Sequence, residues 1–171
     1  GDWSSDVCSS DLSKFHPQRG EMLNFNEENG PSSRVNCLEK VNGDIWLGTW
    51  HDGIYRFDGS LFHRYKEVDS LASDAITALH YQSKDSALWI GTWEGLVRYK
   101  NNEFNTYDAK DGLSANRIRD FFETKDGNLW VGTERGGSCL FDGASFDCIG
   151  EAEGLTKNNP WSVTEDAFGN I

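Results

Sequence analysis

Apolar residues in this chain gather in short runs bounded by Gly, Asn and Asp, and the runs return at a fixed interval. Ile45-Trp46-Leu47-Gly48-Thr49, Leu88-Trp89-Ile90-Gly91-Thr92 and Leu129-Trp130-Val131-Gly132-Thr133 are copies of one phrase, about 42 residues apart. Around each copy the apolar, aromatic and β-branched positions predict four short strands. They are expected at 35–40, 45–50, 54–58 and 61–66, then at 76–82, 87–92, 95–100 and 103–107, and again at 118–124, 128–133, 138–142 and 145–149. Asn42-Gly43, Asp58-Gly59 and Asp126-Gly127 supply turn residues that tolerate positive φ between them. No helix is required. A period of 40 to 45 residues filled by short strands predicts an all-β fold, a partial β-propeller in which each repeat is one four-stranded antiparallel blade.

Register holds between copies. Phe25, Tyr65, Tyr107 and Ile149 each stand five residues before Gly30, Ser70, Gly112 and Gly154, and Phe62, Phe104 and Phe146 mark the outer strands. The chain therefore divides into a partial blade plus a first full blade at 21–66, a second at 67–107, a third at 108–149 and the start of a fourth at 150–171, three to four blades of a larger ring. Seven blades at this period need about 290 residues, so the remaining blades of the same propeller are the first partner expected. Asn170-Ile171 repeats Asn128-Leu129, and a further tryptophan is expected next. Because both faces of a blade pack on neighbours, Trp46, Trp89 and Trp130 are expected in the core, with Gly48, Gly91 and Gly132 as structural glycines beside them. An isolated piece would expose apolar surface.

Residues 2–12, Asp-Trp-Ser-Ser-Asp-Val-Cys-Ser-Ser-Asp-Leu, resemble a common sequencing adapter read as protein, and residues 1–12 are expected to stand outside the fold, leaving 13–171 as the propeller fragment. Acidic residues number 28 against 16 basic, and setting aside Asp2, Asp6 and Asp11 still leaves a net charge of about −9. Such a surface repels phosphate backbones and anionic headgroups, which argues against nucleic acid or bilayer binding. No apolar run is long enough for a membrane helix. Beyond Cys8 the cysteines are Cys37, Cys139 and Cys148. With Gly143-Ala144 as a two-residue turn, Cys139 would face Cys148 and Phe141 would face Phe146. A cross-strand disulfide, suited to an oxidising compartment such as the periplasm, and two small buried thiols both fit, and the thiols are preferred because a four-residue loop would shift the register.

Gly112-Leu-Ser-Ala-Asn-Arg-Ile118, then Lys125-Asp-Gly-Asn-Leu-Trp-Val-Gly-Thr133, with Gly95-Leu-Val-Arg-Tyr99 in the preceding repeat, resemble the two-component regulator propeller repeat over nearly all of 21–171. The resemblance implies a seven-bladed periplasmic sensor module of a hybrid histidine kinase, anchored in the inner membrane as a dimer and detecting carbohydrate fragments. The fragment itself would not be an enzyme, though its full-length parent would be a histidine kinase. Ser70-Leu71 replaces Gly-Leu, and an extra residue falls near Ser83–Ser86; both departures lie in loops.

In a four-stranded blade the loop after strand two and the connection to the next blade open on the same side of the disc. That rim is expected to carry Trp50, His51 and Asp52, then Trp93 and Glu94, then Glu134 and Arg135, with Arg34, Asp74, Asn116, Arg117, Asn158 and Asn159 from the connections. Aromatic faces stack on sugars while carboxylates, amides and guanidinium groups bind hydroxyls, so the mixture suits a small-molecule or oligosaccharide ligand. Trp50 and Trp93 can equally cap a blade edge, and Glu94, Glu134 and Arg135 can be solvated charges. Asp108 and Asp111 lack the alternating acidic ladder of a calcium loop, and no metal or cofactor is assigned. No nucleophile elbow, phosphate loop or zinc-protease helix occurs. Two alternatives to the sensor remain: a protein-binding scaffold using the same rim, and a glycosidase or polysaccharide lyase using a carboxylate pair such as Asp52 with Glu94.

Overall fold

The computed structural model describes residues 2–5, 12–16, 18, 21–25, 28–66, 70–167 and 169–170. The strands are β1 (Asp2–Ser5), β2 (Leu12–His16), β3 (Glu21–Phe25), β4 (Val35–Val41), β5 (Asp44–Thr49), β6 (Ile54–Phe57), β7 (Phe62–Tyr65), β8 (Ile76–Gln82), β9 (Ala87–Thr92), β10 (Leu96–Lys100), β11 (Glu103–Tyr107), β12 (Ile118–Glu123), β13 (Leu129–Thr133), β14 (Gly137–Phe141) and β15 (Phe146–Ile149), and from β4 onward they follow the expected pattern to within a residue or two. They form three four-stranded antiparallel sheets, β4–β7, β8–β11 and β12–β15, preceded by a three-stranded sheet, β1–β3. The chain is a partial β-propeller. Its innermost strands β4, β8 and β12 lie side by side, and Asn36 on β4 donates through Nδ2 to the Ile76 carbonyl of β8 at 3.0 Å.

Local sequence explains the hairpins. Asn42 and Gly43 take φ of 51° and 102°, and Asn101 and Asn102 take 53° and 64°, the left-handed pair that a two-residue turn between twisted strands demands. The β14–β15 hairpin has the register that a two-residue turn at Gly143-Ala144 requires, Cys139 opposite Cys148 and Phe141 opposite Phe146. Cys139 and Cys148 are disulfide-bonded, so the two-thiol reading gives way: the turn is the short one, and the register it fixes brings the sulfurs together. Helical turns do occur, at Ala109–Asp111 and Glu151–Glu153, in the connections that follow the second and third full sheets.

The core is interdigitated between sheets. Trp46 lies 4.9 Å, ring to ring, from Tyr99 of the next sheet and stacks on Tyr65 of its own. Trp89 repeats this, 5.0 Å from Phe141 of the following sheet and 6.1 Å from Tyr107. Both indoles are buried, whereas Trp130 is only partly buried, since among the described residues no third strand of a following sheet faces it. The glycines beside them permit this spacing. A Cβ on Gly48 would stand 2.6 Å from Cys37 Sγ and closer still to Ile76, and one on Gly91 would stand 2.8 Å from Ile118 Cγ2, whereas one on Gly132 meets nothing nearer than 3.7 Å.

The first sheet includes residues expected to stand apart. β1 pairs with β2, and Leu12 is buried with Val35, Leu47, Tyr55 and Phe57. An open sheet edge accepts any extended segment the chain offers, whatever its origin. Phe25 closes the same layer against Phe57 and Phe62.

Among the described residues of 150–170 there is no strand, yet they repeat the preceding turn. Asp166 donates its amide to the Asn170 carbonyl at 2.9 Å as Thr124 does to Asn128, and Lys125 reaches the Asp166 carbonyl as Lys84 reaches that of Asp126.

Two substitutions at equivalent sites should separate sharply. Gly48→Ala forces the first two full sheets apart and should cost about 1–3 kcal/mol, whereas Gly132→Ala should stay within about 0.5 kcal/mol; urea unfolding of the two variants measures both. Ser70, which holds φ of 75° where its counterparts are Gly112 and Gly154, should gain about 0.5–1 kcal/mol as Ser70→Gly.

Candidate functional site

The rim begins with three threonines. Thr49, Thr92 and Thr133 are fully buried, and each hydroxyl donates to the carbonyl that ends its loop, at Gly53, Gly95 and Gly137, over 2.8, 2.8 and 2.9 Å. The residue after each threonine is tied to the preceding connection: Trp50 to the Arg34 carbonyl, Trp93 to that of Ala75 and Glu134 to that of Arg117, at 3.1, 3.2 and 2.8 Å. The recurring Gly-Thr therefore fixes the loops that present Trp50, Trp93 and Glu134 at one level.

A second row of rim residues was not visible in the repeat pattern. Each inner strand carries a β-bulge at the same place, between Val35 and Cys37, Ile76 and Ala78, and Ile118 and Asp120. The residues skipped are Asn36, Thr77 and Arg119, released from the ladder at the strand end nearest the rim loops. A bulge re-aims a side chain. Trp161, 42 residues after Arg119, takes the equivalent place in the last repeat.

Together these rows form a continuous array. The Trp50 and Trp93 rings meet edge to face at 5.4 Å, with His51 5.9 Å from Trp50 and 6.5 Å from Trp93. The Arg117 guanidinium lies 4.0 Å above the Trp93 ring and pairs with Glu134 Oε2 at 3.0 Å. Arg119 pairs with the same oxygen at 2.7 Å and lies 4.6 Å over the Trp161 ring, which is exposed. Trp50, Trp93, Arg117 and Glu134 are partly buried, and His51 is exposed. Buried polar side-chain atoms without a hydrogen-bond partner concentrate at this place: Trp50 Nε1, Thr77 Oγ1, Arg117 Nε and Arg119 Nε, against Arg98 Nε elsewhere among the described residues. Unpaired buried polar groups are rare in folded proteins.

Other expected rim residues serve the scaffold. Asp52 is buried and accepts from Ser32 and Tyr55, with Lys66 Nζ at 2.8 Å and Arg64 at 3.4 Å. Burial alone would raise its carboxyl, but hydrogen bonds from Lys66, Ser32 and Tyr55, with Arg64 nearby, hold it down at about 2. Asn116 accepts the Ala109 amide at 2.9 Å, as Asn158 accepts that of Glu151, so both brace connections; the recurrence of asparagine 42 residues apart was the available signal. Glu94 opens onto a separate cavity of about 340 Å³ lined by Ser70, Leu71, Tyr107, Asp108 and Asp111. Arg135 is exposed with φ of 66°. Arg34 and Asn159 are exposed, and Asp74 gives its carbonyl to the Gly53 amide at 2.9 Å. Further along the inner strands, Glu39 accepts the Tyr81 amide at 3.2 Å and His80 Nε2 lies 3.0 Å from Glu123 Oε2, linking three sheets. Among the described residues no group of three or more His, Cys, Asp or Glu is placed to hold a metal ion, and no helix is long and apolar enough to cross a membrane.

The family described as Two component regulator propeller matches residues 112–135, within the stretch whose motifs carry the resemblance, so the chain bears that repeat. No curated protein matches. Among solved structures the fold is shared with two extracellular domains described as those of hybrid two component systems of B. thetaiotaomicron. One is 21% identical with a TM-score of 0.77 and covers 92% of this chain; the other is 19% identical with a TM-score of 0.72 and covers 93%. PorZ, a bacterial surface component of the type-IX secretion system of Porphyromonas gingivalis, matches 76% of the chain at 16% identity and a TM-score of 0.53. The chain spans about a quarter of the length of these structures, 23%, 23% and 21%.

Because the Asp52 carboxyl is lowered on folding, its contribution is present above the ordinary carboxylate range near 4 and is lost as pH falls toward 2. Asp52→Asn should destabilise the protein at neutral pH by about 1.5–3 kcal/mol and flatten the fall in stability between pH 4 and 2, as followed by circular dichroism.

Proposed function

We propose that this chain is the ligand-reading part of an extracytoplasmic sensor, located in the periplasm and belonging to a hybrid two-component signalling protein whose kinase lies outside these residues, with a parent anchored in the inner membrane as a dimer. The ligand is a carbohydrate fragment, held at the rim. The observation that carries this reading is the array from His51 and Trp50 through Trp93, Arg117, Glu134 and Arg119 to Trp161, which spans successive repeats and concentrates unpartnered polar atoms.

Flat aromatic faces beside directed polar groups are what a sugar ring requires, one for its C–H face and the other for its hydroxyls. The fold shared with extracellular domains described as parts of hybrid two component systems supports the setting. A disulfide between Cys139 and Cys148 suits an oxidising compartment. Catalysis by Asp52 with Glu94 finds no support, because Asp52 is enclosed by Lys66, Arg64, Ser32 and Tyr55, and a carboxyl held at about 2 does not serve as a general acid near neutrality.

Chromatography of oligosaccharides over the immobilised protein tests the reading. Trp50→Ala and Trp93→Ala should each weaken retention at least tenfold, about 1.4 kcal/mol, without loss of the β-sheet spectrum. Retention unchanged by both substitutions would move the binding away from the rim, and capture of a protein with indifference to every glycan would replace the sensor with a scaffold.

A further inference from the structure

We infer that the rim selects an anionic sugar, one bearing carboxylate or sulfate groups, with Arg117 and Arg119 as its receptors and Glu134 as an internal stand-in for the ligand's charge. This rests on the carbohydrate reading above and narrows it to a substrate class.

Charge is the first argument. Two guanidinium groups converge on one carboxylate oxygen, Glu134 Oε2, at 3.0 and 2.7 Å. Arginine remains protonated under all working conditions, so this centre carries one positive charge in excess, within a chain of formal charge −12. The excess is local and partly enclosed, with side-chain exposures of 36% for Arg117, 25% for Arg119 and 17% for Glu134, where water screens it less than at an open surface.

The donor inventory is the second. Trp50 Nε1, Arg117 Nε and Arg119 Nε are N–H groups that can only donate, and all three are buried without a partner. Thr77 Oγ1, also buried without a partner, is a hydroxyl that can donate as well as accept. A neutral sugar can accept from these donors through its hydroxyl oxygens, but each hydroxyl brings a proton that needs an acceptor of its own. A carboxylate or sulfate offers only acceptors, and its pairing with guanidinium groups is among the stronger hydrogen bonds available.

Positioning is the third. Both guanidinium groups are backed by indoles, Arg117 on Trp93 at 4.0 Å and Arg119 on Trp161 at 4.6 Å, and Arg119 stands at a bulge that frees its backbone from the ladder. Stacking keeps a guanidinium in plane, ready for a planar or tetrahedral anion. In the bound form the ligand anion shares the two arginines with Glu134 or displaces its carboxylate.

The test compares two pools over the intact immobilised protein: acidic oligomers from polygalacturonate and chondroitin sulfate, and neutral oligomers from galactan, arabinan and xylan. Retention of the acidic pool is expected, weakening as salt rises. Arg119→Gln should weaken it tenfold or more. Glu134→Gln, which removes the competing carboxylate, should strengthen it several-fold. Lys110→Gln, an equal charge change at a side chain 92% exposed, should leave it unaltered. Retention of the neutral pool alone overturns the anionic selectivity and leaves the carbohydrate reading standing; retention of neither pool overturns both. Acidic retention that responds equally to Arg119→Gln and Lys110→Gln is general charge attraction and also overturns the proposal.

Discussion

Each full sheet of this chain has two apolar faces, and its own four strands can cover neither. Contact between successive sheets is thus the interaction on which everything else depends. Trp46 and Trp89 make it, each reaching the third-strand aromatic of the next repeat, Tyr99 or Phe141. Burial of an aromatic side chain contributes on the order of 2–3 kcal/mol, and edge or tilted ring contacts add about 1 kcal/mol. The distance over which these rings engage is set by Gly48 and Gly91, whose missing side chains admit Ile76 and Ile118. That spacing in turn sets the separation of the rim loops, so that Trp50 meets Trp93 and Arg117 meets both Trp93 and Glu134. A ligand site assembled from several repeats is only as well defined as the packing between them.

The strands were legible because the information that specifies them is local. Apolar runs, Asn-Gly and Asp-Gly turns and the Trp-containing phrase placed β4 to β15 almost to the residue, whereas the register of Cys139, Phe141, Phe146 and Cys148 stayed open between a two-residue and a four-residue loop until the structure chose the former. The bulges were not legible. One extra residue at Asn36, Thr77 or Arg119 leaves the apolar pattern on either side intact, so the pattern carries no trace of it. Arg119 and Trp161 were missed as rim residues for that reason, although Arg117 was found.

Asp52 and Asn116 illustrate the opposite difficulty. Both have the chemistry of ligand contacts and lie in the expected loops, yet their acceptors are taken by Ser32 and Tyr55, and by the Ala109 amide. Those partners lie 20, 3 and 7 residues away in the chain, and the polar character of a position does not reveal which backbone or side chain will claim it. Thr49, Thr92 and Thr133 were visible as part of a repeated phrase, but their task, closing the loop that carries the rim residue, emerged only from geometry.

The bulged residues have a bearing on how such a ring can change over generations. A residue in regular pairing is constrained by its cross-strand partner and by the face it must present, whereas a bulged one has no opposite number. Asn, Thr and Arg occupy the three bulges, and Trp the corresponding place in the next repeat. Each can be exchanged without disturbing a cross-strand pair, so the number of chemically distinct mouths multiplies with every added blade while the walls stay as they are. The ring then works like a combination lock, with one independently set wheel per repeat.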